Sequence, residues 1–182
     1  MSGTVKASTR TNPAQGGGSI GFDAGRAEKM RGVQAVLPIT GGFAVVADNS
    51  WRAFQAADQV EVDWGPSPYI GDSAAQFEAV VAAFTEDTQD SRFRDDGDVT
   101  AAPSEGEVME AEYRIPYLAH APLEPMSVVV KAGQDRIDIW TATQIPRFMQ
   151  ANAARIAEID AEKVHVHVLM GGGSFGRRLE DD

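Results

Sequence analysis

The stretch RIDIWTATQIPRFMQANAARIAEIDAEKVHVHVLMGGGSFG, residues 136–176, contains two strand patterns separated by a helix pattern. Residues 136–140 and 163–170 are rich in β-branched and aromatic side chains, which is typical of strands. Pro146 lies near the first turn of the helix predicted between them, where proline is favoured. The predicted buried stripe of this helix consists of Phe148, Met149, Ala153 and Ile156. The stretch therefore predicts a strand, a helix and a second strand that leads into a glycine-rich loop.

The rest of the chain extends this pattern into an α+β fold. Residues 127–131 and 136–140 flank the turn AGQD and predict a hairpin, and residues 107–115 alternate as a half-buried strand does. In the first half, strands are predicted at 3–11, 33–39, 42–48 and 59–64, and helices at 22–33, 49–58 and 71–87. In the last of these helices, Ser73 and Gln76 form a predicted capping box. Its predicted buried face consists of Phe77, Val80, Val81 and Phe84.

Acidic residues dominate between residues 86 and 107, where large apolar side chains are few. This composition predicts a solvated linker with a domain boundary near Asp98. The predicted organisation is an α+β domain at 1–66, a helix and acidic linker at 67–98, and a second domain at 99–182.

Charge and composition exclude several classes of function. The 182 residues contain 16 Lys plus Arg against 27 Asp plus Glu, which gives a formal net charge of -11. This negative field disfavours nucleic acid and anionic lipid as partners. There is no cysteine, so the chain itself offers no thiolate nucleophile and no thiolate ligand for zinc or an iron–sulfur cluster. No apolar run is long enough for a membrane segment, and the sequence does not indicate a compartment.

Gly171, Gly173 and Gly176 match the pattern G-x-G-x-x-G, which leaves several interpretations open. A dinucleotide-binding turn also needs a following helix and an acidic residue about twenty positions later, and only six residues follow Gly176. A Walker loop needs lysine where Arg177 stands. The loop could instead bind another anion through its backbone amides, with help from Arg177 and Arg178, or it could be a glycine-rich tail.

Several motifs in one order decide between these interpretations. The segments EAEYRIPYLAHAPLEPMSVVV (110–130), IDIWTATQIPRFMQANAARIAEIDAEKVHVHV (137–168) and MGGGSFGRRLED (170–181) together resemble the large subunit of the molybdenum hydroxylases, the xanthine dehydrogenase and aldehyde oxidase family. The isoquinoline 1-oxidoreductase beta subunit is the most similar branch. Residues 21–39 and 42–66 more weakly resemble the hammerhead domain of that family. The implied fold is therefore a hammerhead-like α/β domain followed by the first part of a molybdopterin-binding domain.

The resemblance implies roles for few side chains. Gln144 is similar to a family glutamine that donates a hydrogen bond to an apical oxo ligand of molybdenum. The family's GG-x-F-G loop, which approaches the pterin and the metal, corresponds to Gly172, Gly173, Ser174, Phe175 and Gly176. Arg177 and Arg178 match the twin arginines of the isoquinoline branch. Leu179 stands where the xanthine dehydrogenases have a substrate-binding glutamate, which argues against purine hydroxylation.

The resemblance also implies a function for a longer protein. That function is oxidation of an N-heterocycle or aldehyde with water-derived oxygen, and the family's general-base glutamate lies beyond these residues, so no catalytic residue and no metal ligand is expected here. The implied cofactor is molybdopterin, as the cytosine dinucleotide, with molybdenum. The implied partner is a small subunit with two [2Fe-2S] clusters. The fragment alone is expected to be inactive and to bind no cofactor; the alternatives are a stand-alone anion- or phosphate-binding module and a scaffold domain that docks an iron–sulfur partner.

Three other sets of side chains have a simpler structural interpretation. His165 and His167 could bind a metal, but a polar strand face is the preferred interpretation because no third ligand is evident. His120 and Glu124 could form an acid–base pair, but a proline-rich turn is preferred. The tryptophans, Trp51, Trp64 and Trp140, are expected to be core residues.

Overall fold

The computed structural model describes residues 3–94, 96, 97 and 107–180. Three α-helices and eight strands lie within these residues. The chain divides into two compact units, Met1–Arg114 and Ile115–Asp182, called unit 1 and unit 2 below. The boundary predicted near Asp98 lies outside the described residues, and the three-part division stays a prediction.

Unit 1 contains two small antiparallel sheets and two helices. The strands are β1 (Lys6–Thr11), β2 (Ser19–Asp23), β3 (Val33–Ile39), β4 (Gly42–Ala47) and β5 (Glu61–Trp64), and the helices are α1 (Ser50–Ala57) and α2 (Ser73–Ala82). One sheet has the order β1-β4-β3, and the other pairs β2 with β5. Asn49 caps α1 by accepting a hydrogen bond from the Arg52 N–H at 3.0 Å. This bond satisfies one of the free amides in the first turn.

The core of unit 1 forms where β4 meets α1. Phe43 and Val45 of the central strand are fully buried against Ala56 and Ala57 of the helix. Small side chains on the helix let it lie close to the sheet. The ring of Phe22 packs against Phe43 with centroids 5.5 Å apart. The central strand therefore supplies the largest buried side chains of this unit.

Two helix predictions in unit 1 are corrected by the structure. Residues 22–33 do not form a helix, because Phe22 lies in β2 and pairs with β5, which leaves only a 3-10 turn at Ala27–Lys29. Helix α2 is present, but Asp72 caps it in place of the predicted capping box, through a bond from the Ala75 N–H. None of its residues is buried, and Phe84, which follows the helix, is 81% exposed.

Unit 2 is a three-stranded sheet covered by one helix. Its elements are β6 (Val128–Ala132), β7 (Ile137–Thr141), α3 (Pro146–Ala157) and β8 (Val164–Val168). Strand β7 is central, antiparallel to β6 and parallel to β8. Ile139, Ala154 and Val164 form the core between the sheet and the helix, with Met149 and Ala153 packed beside them. The predicted hairpin and the strand–helix–strand unit are therefore both present.

One predicted strand and several predicted core residues differ from the structure. Residues 107–115 form no strand, because no neighbouring strand pairs with them among the described residues. The predicted stripe of α3 is also only half right, since Phe148 and Ile156 are 67% and 72% exposed while Met149 and Ala153 face the core. Of the three tryptophans expected in the core, Trp64 packs against the core of unit 1. The expectation is wrong for Trp51, which is 69% exposed at the start of α1, and for Trp140, which stacks on His167 outside the core of unit 2.

The α+β prediction is confirmed by this mixture of small sheets and packed helices. Within the residues described, every helix is too short or too polar to cross a bilayer.

Candidate functional site

The carboxyl ends of β7 and β8 lie side by side because these two strands are parallel. The chain that leaves β7 contains Gln144, and the chain that leaves β8 is the glycine loop, defined here as residues 171–176. The pairing continues just past β8, where the Leu169 N–H donates to the Thr141 carbonyl at 2.9 Å. Residues that lie thirty positions apart in sequence are therefore brought to one edge of the sheet.

Hydrogen bonds join Gln144 to the glycine loop directly. The Ser174 hydroxyl donates to Oε1 of Gln144. The backbone N–H of Gln144 donates to the carbonyl of Arg178 at 2.9 Å, and the Arg178 N–H in turn donates to the Ser174 hydroxyl at 3.2 Å. Because Oε1 accepts the hydrogen bond from Ser174, the amide nitrogen Nε2 of this exposed side chain is left as a donor. Nε2 makes no hydrogen bond within the part of the chain that the structure describes.

The loop backbone exposes a row of unused donors. Gly173, Phe175 and Gly176 have φ values of 76°, 51° and 90°, so the loop turns through the left-handed region three times. Among residues 3–94, 96, 97 and 107–180, no hydrogen bond uses the backbone N–H groups of residues 173–176. Successive amides in such turns point toward a common acceptor. The loop can therefore donate to the oxygen, nitrogen or sulfur atoms of a ligand.

The first amide of the motif is already occupied. The Gly172 N–H donates to Oε2 of Glu124, and Oε1 of the same carboxylate lies 3.3 Å from Nη2 of Arg178. A Cβ on Gly172 would stand 2.7 Å from Oε2 of Glu124, so a side chain there would displace the carboxylate from its present position. Glu124 is therefore bonded within the site, and the acid–base pair with His120, the less favoured interpretation of the sequence, is not formed in the described part of the chain.

The two arginines after the loop differ sharply. Arg178 is 3% exposed, and its Nη1 lies 3.4 Å from the Ala142 carbonyl and 3.8 Å from Sδ of Met126. Its Nε and Nη2 are buried without a hydrogen bond among the described residues, although Nη2 is close enough to Glu124 for an ion pair. Arg178 is thus a buried cation held against Glu124, Ala142 and Met126. Arg177 is half-buried and remains the predicted site residue.

The face of the sheet opposite α3 has a second polar cluster. His167 Nε2 lies 2.7 Å from Oδ1 of Asp138, and its ring stacks on Trp140 with centroids 4.9 Å apart. Arg136 donates to both oxygens of Asp138, at 2.8 and 2.6 Å. Within the described residues, no group of three acidic, histidine or cysteine side chains could hold a metal ion. His167 is therefore held by a carboxylate on a polar strand face.

This cluster makes the stability of unit 2 depend on pH. Hydrogen bonds from Arg136 and then from His167 lower the pKa of Asp138 well below its ordinary value of 3.8. A carboxyl group with a lowered pKa stabilises the fold fully above its unfolded-state pKa, and this contribution is lost as pH falls toward the folded-state pKa. We expect the stability advantage of the wild type over Asp138→Asn to shrink on acidification below about pH 4. Urea denaturation at a series of pH values measures the free energy of unfolding of both proteins, and the difference between them gives this advantage.

The matched control is Asp135→Asn, in the exposed turn before β7. Asp135 makes no ion pair within the described part of the chain, so its variant should keep a constant difference from the wild type over the same pH series. An advantage of the wild type over Asp138→Asn that does not change with pH would contradict the role of this cluster.

Comparison with known proteins identifies the family. Residues 83–181, more than half of the chain, match the family model described as the molybdopterin cofactor-binding domain. The chain belongs to this family. The resemblance to the molybdenum hydroxylases that the motifs indicated is thereby confirmed.

Curated relatives agree with the molybdopterin cofactor-binding family. A nicotinate dehydrogenase chain of Pseudomonas putida, one of the subunits of that enzyme, is 25% identical over 92% of this chain and 14% of that protein. The beta subunit of isoquinoline 1-oxidoreductase from Brevundimonas diminuta is 27% identical over 98% of this chain and 24% of that protein. The chain therefore spans less than a quarter of the length of either relative.

A solved structure supports the fold. Quinoline 2-oxidoreductase from Pseudomonas putida 86 superposes with a TM-score of 0.69 at 21% identity, over 98% of this chain and 28% of that chain. At this identity the likeness shows the shared fold alone.

The site fits a molybdopterin-type ligand by its chemistry. The unused amides of residues 173–176 and Nε2 of Gln144 are neutral donors, and they lie on segments that hydrogen-bond to each other. A pterin cofactor is rich in oxygen, nitrogen and sulfur acceptors, which need donors of this kind. A Cβ at Gly171 would meet Ala142 and Arg178, and a Cβ at Gly172 would meet Glu124. These two glycines serve the internal packing of the site.

Proposed function

We propose that this chain is part of the catalytic subunit of a molybdenum hydroxylase that oxidises an N-heterocycle or an aldehyde with water-derived oxygen. Membership of the molybdopterin cofactor-binding family supports the cofactor class. The names of the relatives, which act on nicotinate and isoquinoline, support an N-heterocyclic substrate. The activity is assigned to the longer protein, because the chain spans only 14% and 24% of these two relatives.

The observation that carries the proposal is the convergence of Gln144 with the glycine loop. In this proposal, Gln144, Arg177 and the segment 172–176 face the cofactor, and the bound cofactor supplies the redox chemistry. The amides of residues 173–176 hold its acceptor atoms, while the positive charge of Arg177 stabilises an anionic part. These donors are oriented before the ligand arrives, which reduces the entropy lost on binding.

Ser174 has a defined task in this arrangement. The amide of Gln144 could present either its oxygen or its nitrogen to a ligand. Because the Ser174 hydroxyl donates to Oε1, the nitrogen Nε2 becomes the outward donor. A neutral donor stabilises an oxygen acceptor without adding charge to the site. Ser174 therefore selects the orientation of Gln144 that the proposed role requires.

The finer assignments complete the proposal. The pterin is present as the cytosine dinucleotide, and electrons pass to a small subunit with two [2Fe-2S] clusters. The lack of cysteine in this chain is consistent with clusters that are held elsewhere.

The test is purification of the native complex that contains this chain, through an affinity tag on the protein in its own host. We expect pterin, cytidine monophosphate released by acid, and molybdenum in about equal amounts, together with iron–sulfur absorbance. Elemental analysis and chromatography of the released nucleotide give these quantities. A complex without molybdenum and pterin would overturn the proposal. Binding of inorganic phosphate by such a complex would instead favour an anion-binding module.

A further inference from the structure

We propose that Glu124 is a positioning residue that holds both ends of the glycine loop and, through Arg178, sets the position of Gln144. Its carboxylate accepts a hydrogen bond from the Gly172 N–H and lies within ion-pair distance of Arg178. The positioning itself is independent of the proposed function, and its purpose in cofactor binding rests on that function.

The two carboxylate oxygens of Glu124 contact different partners. Oε2 accepts the Gly172 N–H at the start of the loop, and Oε1 lies 3.3 Å from Nη2 of Arg178 just after it. A carboxylate can accept a hydrogen bond through one oxygen while its other oxygen forms an ion pair with a cation. Glu124 therefore connects the start of the loop to the residue that follows its end.

The Arg178 side chain is buried. The guanidinium is 3% exposed, and Glu124 is its acidic partner in the described part of the chain. A buried cation that loses its carboxylate must either move toward water or remain uncompensated, and both are unfavourable. Arg178 therefore keeps its place only while Glu124 is present and charged.

Hydrogen bonds connect Arg178 to Gln144. The Arg178 carbonyl accepts the Gln144 N–H at 2.9 Å, and the Arg178 N–H donates to the Ser174 hydroxyl. The same hydroxyl donates to Oε1 of Gln144. If Arg178 moves, both bonds that fix Gln144 are disturbed. Glu124 thus controls the orientation of Gln144 from a distance, without touching it.

The glycines at the start of the loop support this interpretation. A Cβ on Gly171 would lie 3.2 Å from Nε of Arg178, and a Cβ on Gly172 would lie 2.7 Å from Oε2 of Glu124. Neither Gly171 nor Gly172 has a positive φ, so the backbone conformation alone does not demand glycine at either position. The absence of side chains there leaves room for the carboxylate and the guanidinium.

The test is amide hydrogen exchange by NMR on the whole 182-residue chain, which needs no cofactor. In Glu124→Gln, the side chain is neutral and has an NH2 donor in place of one carboxylate oxygen, so it cannot face both the Gly172 N–H and the Arg178 guanidinium as the carboxylate does. We expect the Gln144 backbone amide to exchange about tenfold faster, as for a lost hydrogen bond, and the Gln144 side-chain amide resonances to shift. Amides within β6, β7 and β8 should keep their protection.

The matched control is Glu162→Gln, which makes the same change at an exposed acid without an ion pair in the described part of unit 2. It should leave Gln144 unchanged. If the Gln144 backbone amide of the Glu124→Gln variant exchanges at the same rate as in the wild type, the proposal is overturned. The Glu124→Gln variant could also lose the exchange protection of all amides in the sheet. In that case the test uses the double variant Glu124→Gln/Arg178→Met, which removes both charges.

The double variant is expected to restore the sheet while Gln144 still exchanges about tenfold faster than in the wild type. Slow exchange at Gln144 in the double variant, or loss of sheet protection in both variants, would overturn a positioning role. The two proposals fail separately, because a native complex without pterin would leave the exchange result standing.

Discussion

Replacing Gly42 with alanine is expected to lower the free energy of unfolding of unit 1 by about 3 kcal/mol or more, because the new methyl group would overlap the backbone of the neighbouring strand. Gly42 is buried at the start of the central strand β4, between β1 and β3. A Cβ there would stand 1.9 Å from the carbonyl oxygen of Arg10 and 2.9 Å from the Cα of Thr11. Both atoms belong to the backbone of β1, so a side-chain rotation cannot relieve the overlap.

Gly21→Ala is the matched control for this prediction. Gly21 also lies in a strand, but a Cβ at that position would meet nothing within 4 Å. The same methyl group should therefore change stability little or favourably, because alanine restricts the unfolded chain more than glycine does. Urea denaturation followed by circular dichroism compares the two variants. Equal stability of the Gly42→Ala and Gly21→Ala proteins would show that β1 and β4 are not as close as the structure has them.

The strand–helix–strand unit of residues 136–168 was predictable because its signals are local. Period-two apolar strands, a proline at the start of α3 and a glycine run after β8 each depend on neighbours in sequence. The convergence of Gln144 with the glycine loop follows from the same pattern. Once β7 and β8 are parallel, both segments must leave the sheet at one edge.

The wrong predictions share a physical cause. Alternation at 107–115 shows that a strand could form, but not that a neighbouring strand is available to pair with it. The stripe predicted for α3 used apolar type alone, whereas the face of a helix that is buried depends on the sheet beneath it. Here the sheet selects Met149 and Ala153, and leaves Phe148 and Ile156 outside.

In the proposed site, the sequence indicated Gln144 and the glycine loop but not the residues that hold them in place. Glu124 and Gly172 are 48 positions apart, and no local pattern links a carboxylate in a proline-rich turn to a distant amide. The sequence offers only the neighbouring His120 as a partner for Glu124, whereas the structure pairs it with Gly172 and Arg178. The twin arginines also look equivalent in sequence, and only packing shows that Arg178 is buried while Arg177 is not. Long-range ion pairs of this kind become visible only in three dimensions.

Replacing Gly172 with alanine is the corresponding prediction for the site. The new methyl group would stand 2.7 Å from Oε2 of Glu124 and 3.1 Å from its Cβ, so the carboxylate must leave the Gly172 N–H and swing away from Arg178. We expect the free energy of unfolding of unit 2 to fall by about 2 kcal/mol, below the range for fully buried pairs. The expected loss is smaller than for a fully buried pair because the Glu124 side chain is 37% exposed, and water partly screens its ion pair. Exchange of the most protected amides of unit 2 measures this free energy.

A double-mutant cycle separates this cause from a simple backbone effect. In a Glu124→Ala background, the methyl group of Gly172→Ala has no carboxylate to displace, and the backbone at Gly172 lies outside the left-handed region that disfavours alanine. The substitution should therefore destabilise unit 2 far less in that background, with a coupling free energy of about 1–2 kcal/mol. If Gly172→Ala lowers stability equally in both backgrounds, the glycine is needed for the loop backbone and not for Glu124. A large coupling would instead mean that the GG-x-F-G motif begins with a glycine because a carboxylate from a distant turn must reach its amide.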